Sequence, residues 1–151
     1  MTTPEIEIQL AGDVAAPPRA ASLRRWARAA LDGIGESGSL CVRVVGAQEM
    51  ADLNARYRHK QGTTNVLSFA ADFVAPDGTE RLLGDIVICA PVVAEEAAQQ
   101  GKSTVDHFAH LVVHGVLHLC GFDHEQAADA QVMESREVAI LSALGIDDPY
   151  R

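Results

Sequence analysis

Five of the six histidines in this 151-residue chain fall between positions 107 and 124. Imidazole both moves protons near neutral pH and ligates metals, so such a cluster is where chemistry is first sought. His107, His110, His114 and His118 follow one another at spacings of three and four residues, which on an α-helix confines them to roughly an 80° arc of one face. The stretch from His114 to His124 reads HGVLHLCGFDH. Two histidines at i and i+4 can aim both rings at one point, but a helix cannot easily bring a third from the same face at a tetrahedral angle. The chain must turn. Gly121 suits the left-handed conformation that ends a helix, and would let His124 come back toward the pair. This selects His114, His118 and His124 as metal ligands, with His110 and His107, one and two turns earlier, as outer partners or packing groups.

Three neutral imidazoles suit zinc, with nickel, copper and iron also compatible by ligand type, and three protein ligands with a fourth position open describe a catalytic rather than a structural site. Cys120 or Asp123 could close that position. The spacing HxxxHxxGxxH is shared with the metzincin proteases, which carry a glutamate base directly after the first histidine. Here Gly115 stands there, and it cannot take a proton from water. Peptide hydrolysis is therefore disfavoured. An anionic substrate fits better, with the metal lowering the pKa of water toward about 7 and a guanidinium holding phosphate oxygens.

The elements that must position these groups are legible in outline. At 48% hydrophobic and 22% charged residues, the chain has the composition of a single globular domain over residues 1–151. MTTPEIEIQL lacks the basic start and apolar run of a signal peptide, and no stretch approaches a membrane span. A soluble, cytoplasmic protein is expected. Cys41, Cys89 and Cys120 form no CxxC pair and are read as reduced. Net charge is −9, but residues 1–70 carry +1 and residues 71–151 carry −10, so an anionic partner would be met by the first half.

Glu5 to Leu10 alternates polar and apolar, the pattern of a half-buried strand. After Pro17-Pro18, residues Leu23, Trp26, Ala27, Ala30, Leu31 and Ile34 recur at helical spacing, ending near Gly33 or Gly35. Arg24, Arg25 and Arg28 lie off that stripe. Leu40 to Val45 reads as a strand, and Met50, Leu53 and Tyr57 mark a helix that runs into a basic cluster of Arg56, Arg58, His59 and Lys60. Such a cluster complements a helix C-terminus. Strands are expected over residues 64–69 and 82–89, joined by a turn at Ala75-Pro76-Asp77-Gly78. Asp85 interrupts the second strand as a carboxylate buried in an apolar run; it must be paired or hydrogen-bonded there, either as a structural partner or as an outer group of the site.

Pro91 opens a helix that ends at Gly101. Gly101-Lys102-Ser103-Thr104 imitates the end of a phosphate loop but lacks its first glycine and its preceding strand. Ser103 and Asp106 instead make a capping box for the histidine helix. Val132, Val138, Ile140, Leu141 and Leu144 mark a last helix, stopping at Gly145.

Three blocks, LNARYRHKQGTTNVLSF (53–69), LLGDIVIC (82–89) and HLVVHGVLHLCGFDH (110–124), resemble the YbeY family of bacterial rRNA maturation factors, zinc-dependent single-strand endoribonucleases. The resemblance covers most of the chain. It implies an α+β, zincin-like fold: a small mixed sheet of about four strands packed with about five helices, the metal site on a central helix. It also implies one zinc ion per chain on His114, His118 and His124, with Arg58 the arginine near the metal. The chain departs from the family at Gln61-Gly62-Thr63, where an acidic residue and a proline are more common. The reading is a zinc-dependent endoribonuclease acting on rRNA in ribosome biogenesis, with ribosomal particles as partners and Ser68, Asp85 and Asp123 as supporting candidates. Its rivals are a metallopeptidase-like zinc hydrolase and a ribosome-associated factor with a structural metal.

Overall fold

The computed structural model describes residues 5–74, 76–78, 81–122 and 126–150. β1 (Ile6–Leu10) leads through α1 (Ala20–Ile34) to β2 (Ser39–Val45). Then come α2 (Ala47–Arg58), β3 (Val66–Val74), β4 (Arg81–Cys89), α3 (Ala90–Gln100), α4 (Thr104–Leu119) and α5 (Ala127–Ala143). Among the described residues the strands form one sheet in the order β1-β2-β4-β3. β1, β2 and β4 run parallel, and β3 returns antiparallel along β4. The architecture is the mixed α+β arrangement expected, with β3 at one edge.

Side-chain alternation along β4 divides the interior in two. Ile86 and Ile88 join residues of α1, α4 and α5 in the larger core, while Val87 and Cys89 point to the opposite face and pack with Met50 and Leu67. α4 lies in the middle of the larger core. It buries Phe108, Leu111, Val112, Val113, Val116 and Leu117, and each such side chain contributes about 1.5–3 kcal/mol on leaving water.

Local signals set where α4 begins and ends. Ser103 Oγ accepts from the Asp106 backbone N–H at 3.1 Å, satisfying a donor that the first turn leaves open. At the far end Gly121 takes φ 95°, and the Phe122 N–H donates to the Leu117 carbonyl at 3.0 Å, closing the helix as Gly121 led one to expect. Gly115 has a packing role as well as a missing base. A Cβ there would come within 2.7 Å of Ile86 Cγ2, so the glycine lets α4 settle directly on β4.

Three expectations need correction. β3 starts at Val66 rather than Thr64 and continues to Val74, because pairing with β4 sustains a strand past the apolar run. Val132 is 54% exposed; the buried side of α5 is Met133, Glu137, Ile140 and Leu141, so the core-facing stripe contains a carboxylate. Tyr57 is likewise exposed, leaving Met50 and the half-buried Leu53 to anchor α2.

Candidate active site

α4 carries His107, His110, His114 and His118 along one side, as their spacing required. Ring centroids are 6.1 Å apart for His107 and His110, 6.2 Å for His110 and His114, and 5.0 Å for His114 and His118. The row is graded by environment. His107 is buried and its Nε2 bonds Glu96 of α3 at 2.9 Å, while His114 and His118 are only half-buried. Burial holds His107 below the usual imidazole pKa, and its bond to Glu96 opposes that shift without reversing it.

Between α4 and the start of β3 lies a groove of about 670 Å³. His114 and His118 form one wall; Arg58, Lys60 and the segment from Thr63 to Ser68 form the other. Arg58 is the last residue of α2. Its Nη2 donates to the Ser68 carbonyl at 2.8 Å, and the guanidinium lies 5.7 Å from the centroid of the Phe69 ring. Ser68 Oγ donates to the Gly115 carbonyl at 3.4 Å and so ties the same strand to the histidine helix. The basic cluster and the histidines, more than 50 residues apart in sequence, thus share one groove.

The residue that sequence reasoning missed is Glu137. It is fully buried on α5, yet each carboxylate oxygen is engaged. His114 Nδ1 donates to Oε1 at 2.6 Å, His110 Nε2 donates to Oε2 at 2.9 Å, and the Tyr150 hydroxyl donates to Oε2 as well. Burial by itself would raise the pKa of Glu137, but these three donors prevail and hold it at about 2. The carboxylate is therefore ionised and accepts from all three groups. A signal was present: a glutamate four residues after Met133 and three before Ile140 occupies a core position of its helix.

His110, His114 and Glu137 bring three ligand atoms within 4.8 Å of one another, so this group could hold a metal ion. The spacing observed is that of hydrogen bonds. Two ligands about 2.1 Å from one tetrahedral zinc stand about 3.4 Å apart, whereas His114 and Glu137 approach to 2.6 Å. The other arrangement leaves Glu137 where it is. A histidine whose Nδ1–H donates to a carboxylate is fixed in the tautomer that ligates through Nε2. His124 and Asp123 lie outside the described residues, so the third expected ligand is not located.

Asp85 does not belong to this site. It is exposed rather than buried, and it lines a separate depression on the opposite face of the sheet with Cys41, Arg43 and Tyr57. Strand alternation decides this, because Ile86 faces α4 and its neighbour must face away.

A family model described as Endoribonuclease YbeY matches residues 14–145 of the chain. The chain belongs to the YbeY family. Among its curated relatives, the Endoribonuclease YbeY of Nitrosococcus oceani is 53% identical over 148 residues, covering 96% of this chain and 95% of that protein. The Endoribonuclease YbeY of Methylococcus capsulatus is 53% identical over 137 residues, covering 90% of this chain and 89% of its own. A solution structure of a protein from Thermotoga maritima superposes with a TM-score of 0.56 at 22% identity, over 97% of this chain and 99% of that one, and bears on the fold alone. Within the YbeY family the groove between α4 and β3 is the natural candidate for the catalytic centre, since no other described pocket combines histidines with Arg58.

Proposed function

We propose that the protein is a zinc-dependent endoribonuclease that cuts single-stranded RNA during rRNA maturation. One zinc ion would be held by His114, His118 and His124, and Arg58 would be the residue that binds the reacting phosphate. The observation that carries the reading is the shared groove, in which Arg58 and Lys60 face His114 and His118. The names of the relatives support the activity and the choice of RNA. The family resemblance supports rRNA, ribosomal particles as partners and a cytoplasmic setting. No helix of the described residues is long and apolar enough to cross a membrane.

The donor set fits zinc. Imidazoles are its common ligands, and the carboxylate behind His114 is the outer partner that such ligands usually have. Zinc held there would supply Lewis acidity toward a phosphoryl oxygen or an attacking water. The remaining work falls to the protein. Glu137 keeps the His114 ring at a fixed angle and in one tautomer. Arg58 spends one of its five N–H donors on the Ser68 carbonyl, which anchors the guanidinium in the groove and leaves others for phosphate oxygens. That hold stabilises charge as it develops in the transition state, an effect worth about 10²–10³ in rate for a single well-placed donor.

A peptidase reading has less support. Residue 115 faces Ile86, so no carboxylate base could occupy the metzincin position without pushing α4 off the sheet.

The test is cleavage of labelled single-stranded and duplex RNA, with and without chelator, by the wild type, His114→Ala and Arg58→Ala, beside a casein digest. Cleavage confined to single strands, abolished by chelator and by His114→Ala, and reduced about a hundredfold or more by Arg58→Ala, is expected. Cleavage that ignores the chelator and both substitutions would assign the activity to a contaminant and end the proposal.

A further inference from the structure

After α5 the chain does not run off the surface. Residues 146–150 return toward α4 and α5, and Lys102 Nζ, two residues before α4, donates to the Pro149 carbonyl at 2.9 Å. Tyr150 is thereby delivered onto the histidine row. Its ring meets that of His110 edge to face, with centroids 5.4 Å apart, and its hydroxyl donates to Glu137 Oε2. The same hydroxyl lies 3.3 Å from His110 Nε2, so one N–H of His110 is shared between the carboxylate and the phenol. Tyr150 is 47% exposed, whereas the carboxylate it reaches is fully buried. An exposed side chain that sends its one polar atom to a buried charge does something that packing alone does not require.

We propose that Tyr150 is a positioning residue for the metal centre, acting through Glu137 on His114. The proposal rests on the assignment of His114 as a metal ligand. A carboxylate rotates easily about its terminal torsion, which has only a broad, twofold preference. The His114 and His110 bonds, one to each oxygen, restrain that rotation without stopping it. The second donor on Oε2 fixes the carboxylate plane, and with it the direction of Oε1, to which His114 Nδ1 is bonded. Tyr150 would thus reach the ring orientation of a ligand it does not touch. The tie between Lys102 and Pro149 helps hold the strap in place, beside the Ile146 N–H bond to the Leu141 carbonyl and the packing of Ile146 on the core.

Tyr150→Phe removes the hydroxyl and little else. Zinc affinity, read by competition with a chromophoric chelator, should fall about tenfold, the lower end of what outer partners of metal ligands contribute. The visible spectrum of the cobalt-substituted protein should change, and kcat on single-stranded RNA should fall while KM stays within about twofold. Lys102→Ala, which releases the strap but keeps the phenol, should shift the same readouts in the same direction by less. Metal affinity within about twofold of wild type together with an unchanged cobalt spectrum in Tyr150→Phe would overturn the proposal. If that variant melts far below wild type, Lys102→Ala decides, and unchanged metal affinity there has the same consequence. Weakened metal binding in a protein that cleaves no RNA would leave the role of Tyr150 standing and remove the nuclease reading instead.

Discussion

Replacing Glu137 by glutamine preserves shape and volume while removing one acceptor and the charge, and its cost can be worked out bond by bond. Three donors converge on the carboxylate: His114 on Oε1, and His110 and Tyr150 on Oε2. With the amide oxygen turned toward His114, the amide NH₂ faces His110 and Tyr150. The Tyr150 hydroxyl can rotate to accept. His110 can accept only by moving its proton from Nε2 to Nδ1, and Nδ1 is buried with no partner among the described residues. A buried donor left without an acceptor costs about 1–3 kcal/mol, and reducing the His114 bond from charge-assisted to neutral costs about 1 kcal/mol more. The total is about 2–4 kcal/mol. For a chain of this length each kcal/mol lowers Tm by about 2–4 °C, so a drop on the order of 10 °C is expected. Scanning calorimetry of the chelator-treated protein measures that drop without contribution from metal. Chelator competition on the reloaded protein should show zinc binding weakened by about ten- to a hundredfold. A Glu137→Gln variant that melts within about 2 °C of wild type and binds zinc as tightly would refute the assignment of Glu137 as the group that orients His114.

Three further outcomes follow from other parts of the molecule. Gly115→Ala gains about 1 kcal/mol of helix propensity but drives a methyl into Ile86, an overpacking cost of about 1–3 kcal/mol; urea titration should show net destabilisation that shrinks in an Ile86→Ala background, and equal effects in both backgrounds would show that the contact does not matter. Because burial depresses the pKa of His107 in the folded state, the unfolded chain takes up the proton first. Its contribution to stability is therefore complete above about pH 6.5 and is lost as pH falls from there toward the folded-state pKa. Denaturant unfolding of His107→Gln between those limits should show a shallower loss than wild type, and identical slopes would exclude the buried imidazole as the cause. Among the described residues lining the groove, Arg58 and Lys60 alone carry full positive charge, so log Kd for a short single-stranded RNA should change with log salt at a slope of about 1.4; a slope of about 5 or more would place the RNA path over a wider basic surface than this groove.

Much of the histidine helix can be read from sequence because its determinants are local. The histidine face follows from spacings of three and four residues, the start of α4 from Ser103 and Asp106 three apart, and its end from a glycine that accepts a positive φ. Each interaction spans less than two turns, so the amino-acid order alone sets it. The proposed ligand pair His114 and His118 was accessible on the same grounds, and Arg58 entered through the resemblance of its surrounding block. What the sequence could not settle is which distant groups complete the site. Asp85 looked like the buried carboxylate, but a strand alternates its faces, and pairing with β2 and β3 turned Asp85 away from α4 while Ile86 turned toward it. The carboxylate that matters is Glu137, 23 residues beyond His114, carried there as α5 buries Met133, Ile140 and Leu141 in the core it shares with α1 and α4. Tyr150 arrives later still, on a strap tied to Lys102. Such partners depend on how helices pack against one another, and that is decided only once the apolar faces have been buried.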